Sequence, residues 1–406
     1  MSRRRVAVTG IGLICALGLD REASWQGLCE GRCGIADLTR FDGTGCRSRM
    51  VAEALRYDES ALFTVRERRR YSRSDQLAII AAAEALADAG LLASGIEPAS
   101  VGIVMGVGGN DLLRSEDYYS EVLARGYRRA HPFKIANYLS NAPVDALGRR
   151  FNLTGLRAST NSACSSSTMA IGYGADLISR GRLEAALCGG ADSLCRTALA
   201  GFNALRVVDT EPCRPFDVSR NGMNLGEAGA VLVLEEMTRA RARGAHVYVE
   251  LAGYAASCEA YHATAPEPDG IAVAALLEAA LAASGVPADE VDHINAHGTG
   301  TPQNDRTEAR GIRRVFGDRT ADIPVTSIKS MVGHCLGAAG GIEAAALALT
   351  IERGVIPPTI HHRETDPECQ IDVVANTSRA RRVRCGISMS LAFGGNDAAI
   401  VMRQAG

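Results

Sequence analysis

No apolar run in the 406-residue chain reaches the length of a membrane span, which excludes insertion by a hydrophobic helix. A dominant charge is also lacking. The net formal charge is -2, so no global field draws the chain to nucleic acid or anionic lipid. There is no low-complexity segment and no Pro/Ser-rich linker. The basic start MSRRRVAVTG runs straight into a strand-like segment without a secretory apolar region, so a signal peptide is not expected. The twelve cysteines include no C-x-x-C pair, and their spacings are irregular. A reducing, cytoplasmic setting is expected, with most cysteines serving as small buried apolar side chains. A catalytic cysteine would have to be marked out by its local sequence.

What is present is an alternation of short β-like runs with Ala-rich helical stretches. The runs are Val6–Thr9, Gly102–Met105, Ala185–Cys188, Gly229–Leu234, Val247–Ala252, Val291–Ala296, Pro324–Ser327 and Ala398–Met402. Helices are expected over Asp75–Ala89, Ser165–Arg180, Ile271–Ser284 and Gly341–Glu352. This alternation predicts a layered α/β architecture. Strand–helix–strand order before about residue 250 is loosely echoed after it. The densest charge cluster, Arg66, Arg68, Arg69, Arg70 and Arg73, precedes a helix.

Two Gly-rich segments resemble phosphate-binding loops but lack a required residue. Val6–Gly18 reads VAVTGIGLICALG, with Cys15 where a dinucleotide fingerprint needs its third glycine, so a tight turn is expected there. Gly337–Gly341 opens a helix but lacks the Gly-Lys-Ser/Thr ending of a P-loop. His293 and His297 are four apart, like zinc ligands on a helix, yet the residue after His293 is Ile294 rather than glutamate. Their segment, VDHINAHGTGT, alternates like a strand, which would separate the two rings by roughly 13 Å. No metal site is expected, and His293 is read as structural.

Asn161–Ser167, NSACSSS, is different in kind. Small neighbours leave the Cys164 sulfur accessible, and a helix start can stabilise a thiolate and bind a developing oxyanion. The alternative is a buried structural cysteine. Two further segments strengthen the nucleophile reading. NAHGTGTPQND places His297 at a strand end before a Gly/Thr turn, and SIKSMVGHCLGAAGGIE places Lys329 and His334 in another turn before a helix.

These blocks, with RVAVTGIGLICALG, SWQGLCEGRCGI, RPFDVSRNGMNLGEAGAVLVLEE and LAFGGND, occur in order along nearly the whole chain. The chain resembles the elongating β-ketoacyl-acyl-carrier-protein synthases of the thiolase-like superfamily, whose Cys-His-His set separates them from thiolases and from the initiating synthases. The resemblance implies two similar halves in five α-β-α-β-α layers. Residues 1–250 would carry the nucleophilic cysteine, and residues 251–406 both histidines and a Phe gate loop.

The resemblance further implies that Cys164 accepts an acyl chain and that His297 and His334 face a malonyl thioester. Lys329 would sit near His334 and tune the site. Asp305, Glu308 and Glu343 would form a supporting acidic network. The backbone N–H groups of Cys164 and Phe393 would form an oxyanion hole. Thr299 and Thr301 would hold a phosphopantetheine arm supplied by the acyl carrier protein, and the enzyme would need no cofactor of its own. Arg69 and Arg70, flanked by Arg66 and Arg68, would dock that acidic carrier. Leu112, Leu113 and Phe202 are candidate pocket residues. A homodimer, or a heterodimer with a chain-length-factor-like subunit, is implied.

The chain departs from the family pattern at the gate, where Gly-Phe-Gly-Gly-Thr-Asn is usual. Here the residues are Ala392, Phe393, Gly394, Gly395, Asn396 and Asp397. The loop between Val208 and Cys213 is also short. SCEAYHATAPEPDG, HGTGTPQND, SIKSMVGH and TDPEC lean towards type II polyketide and polyene synthases. The competing readings are housekeeping fatty-acid elongation, a non-catalytic chain-length-factor-like subunit, and a cysteine hydrolase. Retention of Cys164, His297 and His334 together argues against the second.

Overall fold

The computed structural model describes residues 3–110, 112–131 and 133–406. Eleven strands form its main sheet: β1 (Val6–Ile14), β2 (Val101–Gly106), β3 (Arg157–Thr160), β4 (Ala185–Asp192), β5 (Ala228–Glu236), β6 (Val249–Cys258), β7 (His293–Asn295), β8 (Pro324–Thr326), β9 (Asp372–Val373), β10 (Cys385–Ser390) and β11 (Asn396–Arg403). Their spatial order is β9-β8-β7-β10-β11-β6-β1-β5-β4-β2-β3. From β1 outward, β5 and β4 follow antiparallel, and β2 and β3 then run parallel to β4. From β6 outward, β11 and β10 follow antiparallel, and β7, β8 and β9 then run parallel to β10. The two arms meet at a short antiparallel seam, Val6–Val8 against Val249–Leu251.

The principal helices are α1 (Val65–Arg70), α2 (Arg73–Ala89), α3 (Leu112–Arg125), α4 (Ser166–Ser179), α5 (Arg196–Ala204), α6 (Ile271–Ser284), α7 (Pro302–Phe316) and α8 (Ala339–Arg353). α4 and α8 pack on each other and lie between the arms, α4 chiefly on β4 and β2, α8 on β5 and β10. α2 covers the outer face of β1, β5 and β4, while α6 covers β6 and β11 with α7 behind it. This is the five-layer α-β-α-β-α arrangement expected of a thiolase-like chain. No described helix is long and apolar enough to cross a membrane.

Close approach between layers explains where the glycines fall. Gly10 and Gly12 lie inside β1 and not in the tight turn expected from sequence. β1 runs five residues past the expected Thr9. A Cβ on Gly12 would lie 1.8 Å from the Ala81 carbonyl oxygen of α2. The same logic seats α4. A Cβ on Gly106 would fall 2.2 Å from the Ser167 nitrogen, and one on Gly340 would fall 1.9 Å from Thr168 Oγ1. α2 begins at Arg73, held by a Ser72/Asp75 capping box, and Arg73 turns inward to Glu227 at 2.6 Å. Arg73 of the basic cluster is thus directed away from Arg66, Arg69 and Arg70, which are exposed. Eight of the twelve cysteines are buried and all are free thiols.

Gly106→Ala should push α4, and with it the turn before it, out of place. Overpacking of this kind typically costs about 1–3 kcal/mol. Denaturant unfolding should show a lowered midpoint at unchanged slope. An unchanged midpoint would mean that α4 can slide without penalty.

Candidate active site

Cys164 sits on a 3₁₀ turn, Ala163–Ser165, immediately ahead of α4, at the helix start its sequence suggested. Ala163 has φ of 53°, a left-handed conformation unusual for a side-chain-bearing residue. The serines of the SACSSS run stabilise this bend. Ser166 Oγ donates to the Ala163 carbonyl at 2.6 Å and accepts from the Ser162 N–H at 2.9 Å, and Ser165 Oγ donates to the Ser162 carbonyl at 2.9 Å. The bend turns the Cys164 side chain into a cavity of about 350 Å³ that is also lined by His297, His334, Thr299, Thr301, Phe202 and Phe393.

His297 follows β7 on a loop fixed by Glu308, whose carboxylate accepts the N–H groups of His297 and, at 2.7 Å, Gly298. Asp305 holds the next bend, accepting from Gly300 N–H at 3.1 Å and from Phe216 N–H at 2.7 Å. His334 lies at the end of a second loop, where its N–H donates to the Asn224 carbonyl at 2.7 Å and its carbonyl accepts from Gly226 N–H at 2.8 Å. The two rings meet edge to face, with centroids 5.3 Å apart.

Lys329 is almost fully buried and joins these parts. Its ammonium pairs with Glu343, donates to the His297 carbonyl at 2.6 Å and lies 3.3 Å from His297 Nδ1. The sequence reading placed Lys329 beside His334. In the fold its direct hydrogen bonds go to His297, while it acts on His334 through its charge. An ammonium has no lone pair, so His297 Nδ1 must accept and the ring proton resides on Nε2. The Leu336 N–H donates to His334 Nδ1 at 3.1 Å and imposes the same tautomer. Both imidazoles therefore present Nε2–H. Burial first, and the Lys329 charge second, hold both well below the ordinary 6.5, so both are neutral at pH 7.

Cys164 corrects a second expectation. Its position before a helix suggested a lowered thiol pKa, but burial pushes the thiol up to about 12, against the opposing pull of Lys329 and the Phe393 N–H. The helix start supplies less stabilisation than desolvation removes. The resting cavity accordingly holds a neutral thiol beside neutral imidazoles. Burial also raises Glu308 to about 8, and raises Glu343 and Asp305 above their ordinary range.

The remaining expected residues divide. Phe393 N–H points at the Cys164 sulfur, and the Phe393 ring stacks on Phe202 at 5.7 Å. Thr299 Oγ1 and Thr301 Oγ1 lie 2.9 Å apart on the cavity wall. Leu112 and Leu113 do not line the cavity. They lie half-buried in the first turn of α3, so their assignment to the pocket is corrected for this chain. Arg66, Arg69 and Arg70 are exposed on α1 and Arg68 is half-buried, all outside the cavity. His293 is buried on β7 with Nδ1 2.9 Å from the Pro324 carbonyl, away from the cavity.

Sequence reasoning missed Asp192 and Glu259. Asp192 ends β4, and its Oδ2 accepts from Gly108, Gly109 and Gly337 N–H at 2.7, 3.2 and 2.8 Å, tying the β2 loop to the turn after His334. Burial pushes it up to about 7. A lone acid ending the small apolar run AALCGGAD was the available signal. Among the described residues no group of His, Cys, Asp and Glu could hold a metal ion.

The sequence matches the family described as "Beta-ketoacyl synthase, N-terminal domain" over residues 3–240 and "Beta-ketoacyl synthase, C-terminal domain" over residues 248–363. It is 37% identical to 3-oxoacyl-[acyl-carrier-protein] synthase 2 of Synechocystis sp., covering 100% of this chain and 99% of that one. It is also 37% identical to the tetracenomycin polyketide synthase ketoacyl synthase alpha subunit of Streptomyces glaucescens, covering 99% and 97%. Among solved structures, the ishigamide ketosynthase/chain length factor superposes with a TM-score of 0.91 at 36% identity, covering 100% of both chains. The chain belongs to the β-ketoacyl synthase family.

A folded protein that keeps His297 neutral binds fewer protons than its unfolded chain once the pH drops below 6.5, so this group lowers stability progressively from there downward. His297→Asn removes it. Relative to the parent, the variant should gain up to about 1.4 kcal/mol per pH unit between about pH 6.5 and about pH 5. Urea unfolding of both proteins across that window checks the sign, and a constant difference would mean that His297 titrates normally.

Proposed function

We propose that the chain catalyses decarboxylative Claisen condensation, joining an acyl group held on Cys164 to malonyl-acyl-carrier protein. The observation that carries this reading is the pair of neutral imidazoles, each with Nδ1 engaged, leaving two Nε2–H donors beside one cysteine. The acyl thioester of the carrier protein transfers to Cys164: the cysteine sulfur attacks, the phosphopantetheine C–S bond breaks, and the cysteine proton passes to the departing phosphopantetheine sulfur, which leaves as the thiol. The malonyl thioester then enters. Its C–C bond breaks to release carbon dioxide, and the electron pair becomes an enolate whose oxygen accepts from the two Nε2–H groups. The enolate carbon attacks the Cys164 thioester, the new oxyanion is held by the N–H groups of Cys164 and Phe393, and the sulfur departs. Two half-reactions share one nucleophile, so the kinetics are ping-pong.

Lys329 and Glu343 fix the His297 ring, while Glu308 and Asp305 shape the loop that carries it. Thr299 and Thr301 hold the phosphopantetheine arm, which the carrier protein brings. Phe202 and Phe393 line the path of the acyl chain. Arg66, Arg69 and Arg70, with Arg68 beside them, receive the acidic carrier by electrostatic steering. The cysteine-carrying half is residues 1–250 and the histidine-carrying half residues 251–406. A type II polyketide or polyene pathway is favoured by the segments SCEAYHATAPEPDG, HGTGTPQND, SIKSMVGH and TDPEC, with housekeeping fatty-acid elongation as the alternative. The partner subunit is a second copy or a chain-length-factor-like chain. A hydrolase is disfavoured because neither ring offers a free lone pair to activate water.

Intact mass spectrometry after incubation with acyl-carrier protein should show an acyl adduct on the parent and none on Cys164→Ala. Cys164→Gln should still release carbon dioxide from malonyl-carrier protein while forming no β-ketoacyl product. An acyl adduct persisting in Cys164→Ala, or absence of β-ketoacyl product from the parent with every carrier offered, would overturn the assignment.

A further inference from the structure

The gate segment carries an acid whose environment the reaction above does not use. Asp397 is the second residue of β11, pairs across the sheet with Ser257 of β6, and is 1% exposed. Its Oδ1 accepts from the Ala392 N–H at 3.0 Å, at the root of the Phe393 loop. Among the described residues, Asp397 Oδ2 and Glu259 Oε1 are buried and have no hydrogen-bond partner beyond what the two carboxyl groups offer each other. The two carboxyl groups are in hydrogen-bond contact on the cavity wall.

Glu259 is tied to the same loop from the other side. Its N–H donates to the Gly395 carbonyl at 2.9 Å, and a Cβ on Gly395 would fall 2.8 Å from Glu259 Cβ. The loop also donates from Gly394 N–H to the Ala263 carbonyl at 2.8 Å. Asp397 and Glu259 thus grip the two ends of the three-residue turn Phe393–Gly395. Phe393 of that turn directs its N–H to Cys164 and stacks its ring on Phe202.

Two carboxylates cannot both stay ionised at contact distance when one is buried. Their repulsion and the desolvation of Asp397 both favour retaining a proton. With one proton, the pair forms a short O–H···O⁻ hydrogen bond, among the stronger kinds in a protein. The neighbouring titratable groups are otherwise engaged. Glu267 donates its N–H to Glu259 Oε2 at 2.9 Å while its own carboxylate accepts the N–H groups of Asp269 and Ile271. His262 uses Nδ1 to accept from Thr264 and Ala265 N–H. The Cys258 thiol lies 3.8 Å from the Gly394 carbonyl. Among the described residues, the charge acting on Asp397 is that of Glu259.

We propose that Glu259 and Asp397 are a positioning pair that shares one proton and thereby holds the Phe393 loop against Cys164. Loss of that proton puts two negative charges face to face and releases the loop. The Phe393 N–H then leaves the sulfur, and the Phe202 stack opens. The role in condensation rests on the function proposed above, whereas the proton-dependent loop position does not. Burial, reinforced by Glu259, pushes Asp397 up to about 8, which places the transition at mildly alkaline pH. An asparagine at 397 would keep the acceptor for Ala392 N–H and offer Glu259 an N–H donor at every pH.

Fluorine NMR of enzyme carrying fluorophenylalanine, with the Phe393 signal assigned from Phe393→Leu, reads the loop without reference to activity. In the parent that signal should shift or split with a midpoint near pH 8, and condensation should fall about a hundredfold over the same window as the Phe393 donor is lost. In Asp397→Asn both changes should vanish. Should that variant fail to fold, Glu259→Gln gives the same test. A Phe393 signal that ignores pH in the parent, or that titrates identically in the variants, overturns the proposal. A titrating signal abolished by Asp397→Asn, with no β-ketoacyl product at any pH, would leave the pair standing and remove the proposed reaction.

Discussion

The site depends on one buried cation. Lys329 is held inside the protein by Glu343 and by the His297 carbonyl, and it forces the His297 ring into a single tautomer. Its positive charge also helps to keep both imidazoles neutral and opposes the desolvation of Cys164. A buried ion pair is a poor source of net stability, because desolvation offsets most of the attraction. Its value here is orientation. The ammonium has donors and no acceptor, so a neighbouring imidazole can meet it only with a lone pair. A neutral residue able to both donate and accept would leave the tautomer undetermined.

The second constraint is the distance between layers. α4 and α8 come close enough to each other and to the sheet only because Gly106, Gly190, Gly340 and Gly341 carry no Cβ. The spaces left are filled by hydroxyls. Thr168 and Ser390 are 2.8 Å apart, and Ser167 Oγ accepts from Gly341 N–H at 2.8 Å. The run of small residues around Cys164 thus has two effects. It exposes the sulfur to the cavity, and it lets the turn before α4 sit against the loop that carries His334. Asp192 closes the same junction from below by gathering three backbone N–H groups.

Much of this was legible because its signals are local. The layered α/β class follows from the alternation of short strands and Ala-rich helices. Cys164, His297 and His334 each sit in a short motif whose small residues imply backbone approach. What escaped was set by distant partners. The reach of Lys329 to His297 depends on how the loop after β8 lies against the loop after β7. Leu112 and Leu113 carry the right chemistry for a pocket, but the docking of α3 decides where they lie. Arg73 belongs to the basic cluster by sequence, but Glu227, 154 residues later, draws it inward. The Cys164 thiol misled for the same reason, since its helix start is local but its desolvation is the work of the whole fold.

These facts fix the proton inventory of the cavity. At neutral pH the thiol keeps its proton, both rings keep Nε2–H, and the Lys329 ammonium is paired with Glu343. The two imidazoles thus present donors rather than bases to the cavity. A water molecule entering beside them finds no imidazole lone pair to deprotonate it, which would disfavour hydrolysis of a thioester at Cys164. A malonyl carboxylate entering this buried site would be desolvated. Release of carbon dioxide spreads that localised charge over an enolate, whose oxygen can accept two Nε2–H hydrogen bonds. A low-dielectric site lined by neutral donors favours the delocalised anion over the localised one. The arrangement that makes Cys164 a poor resting nucleophile is therefore the same one that would favour decarboxylation, and the two properties cannot be tuned independently while Lys329 serves both.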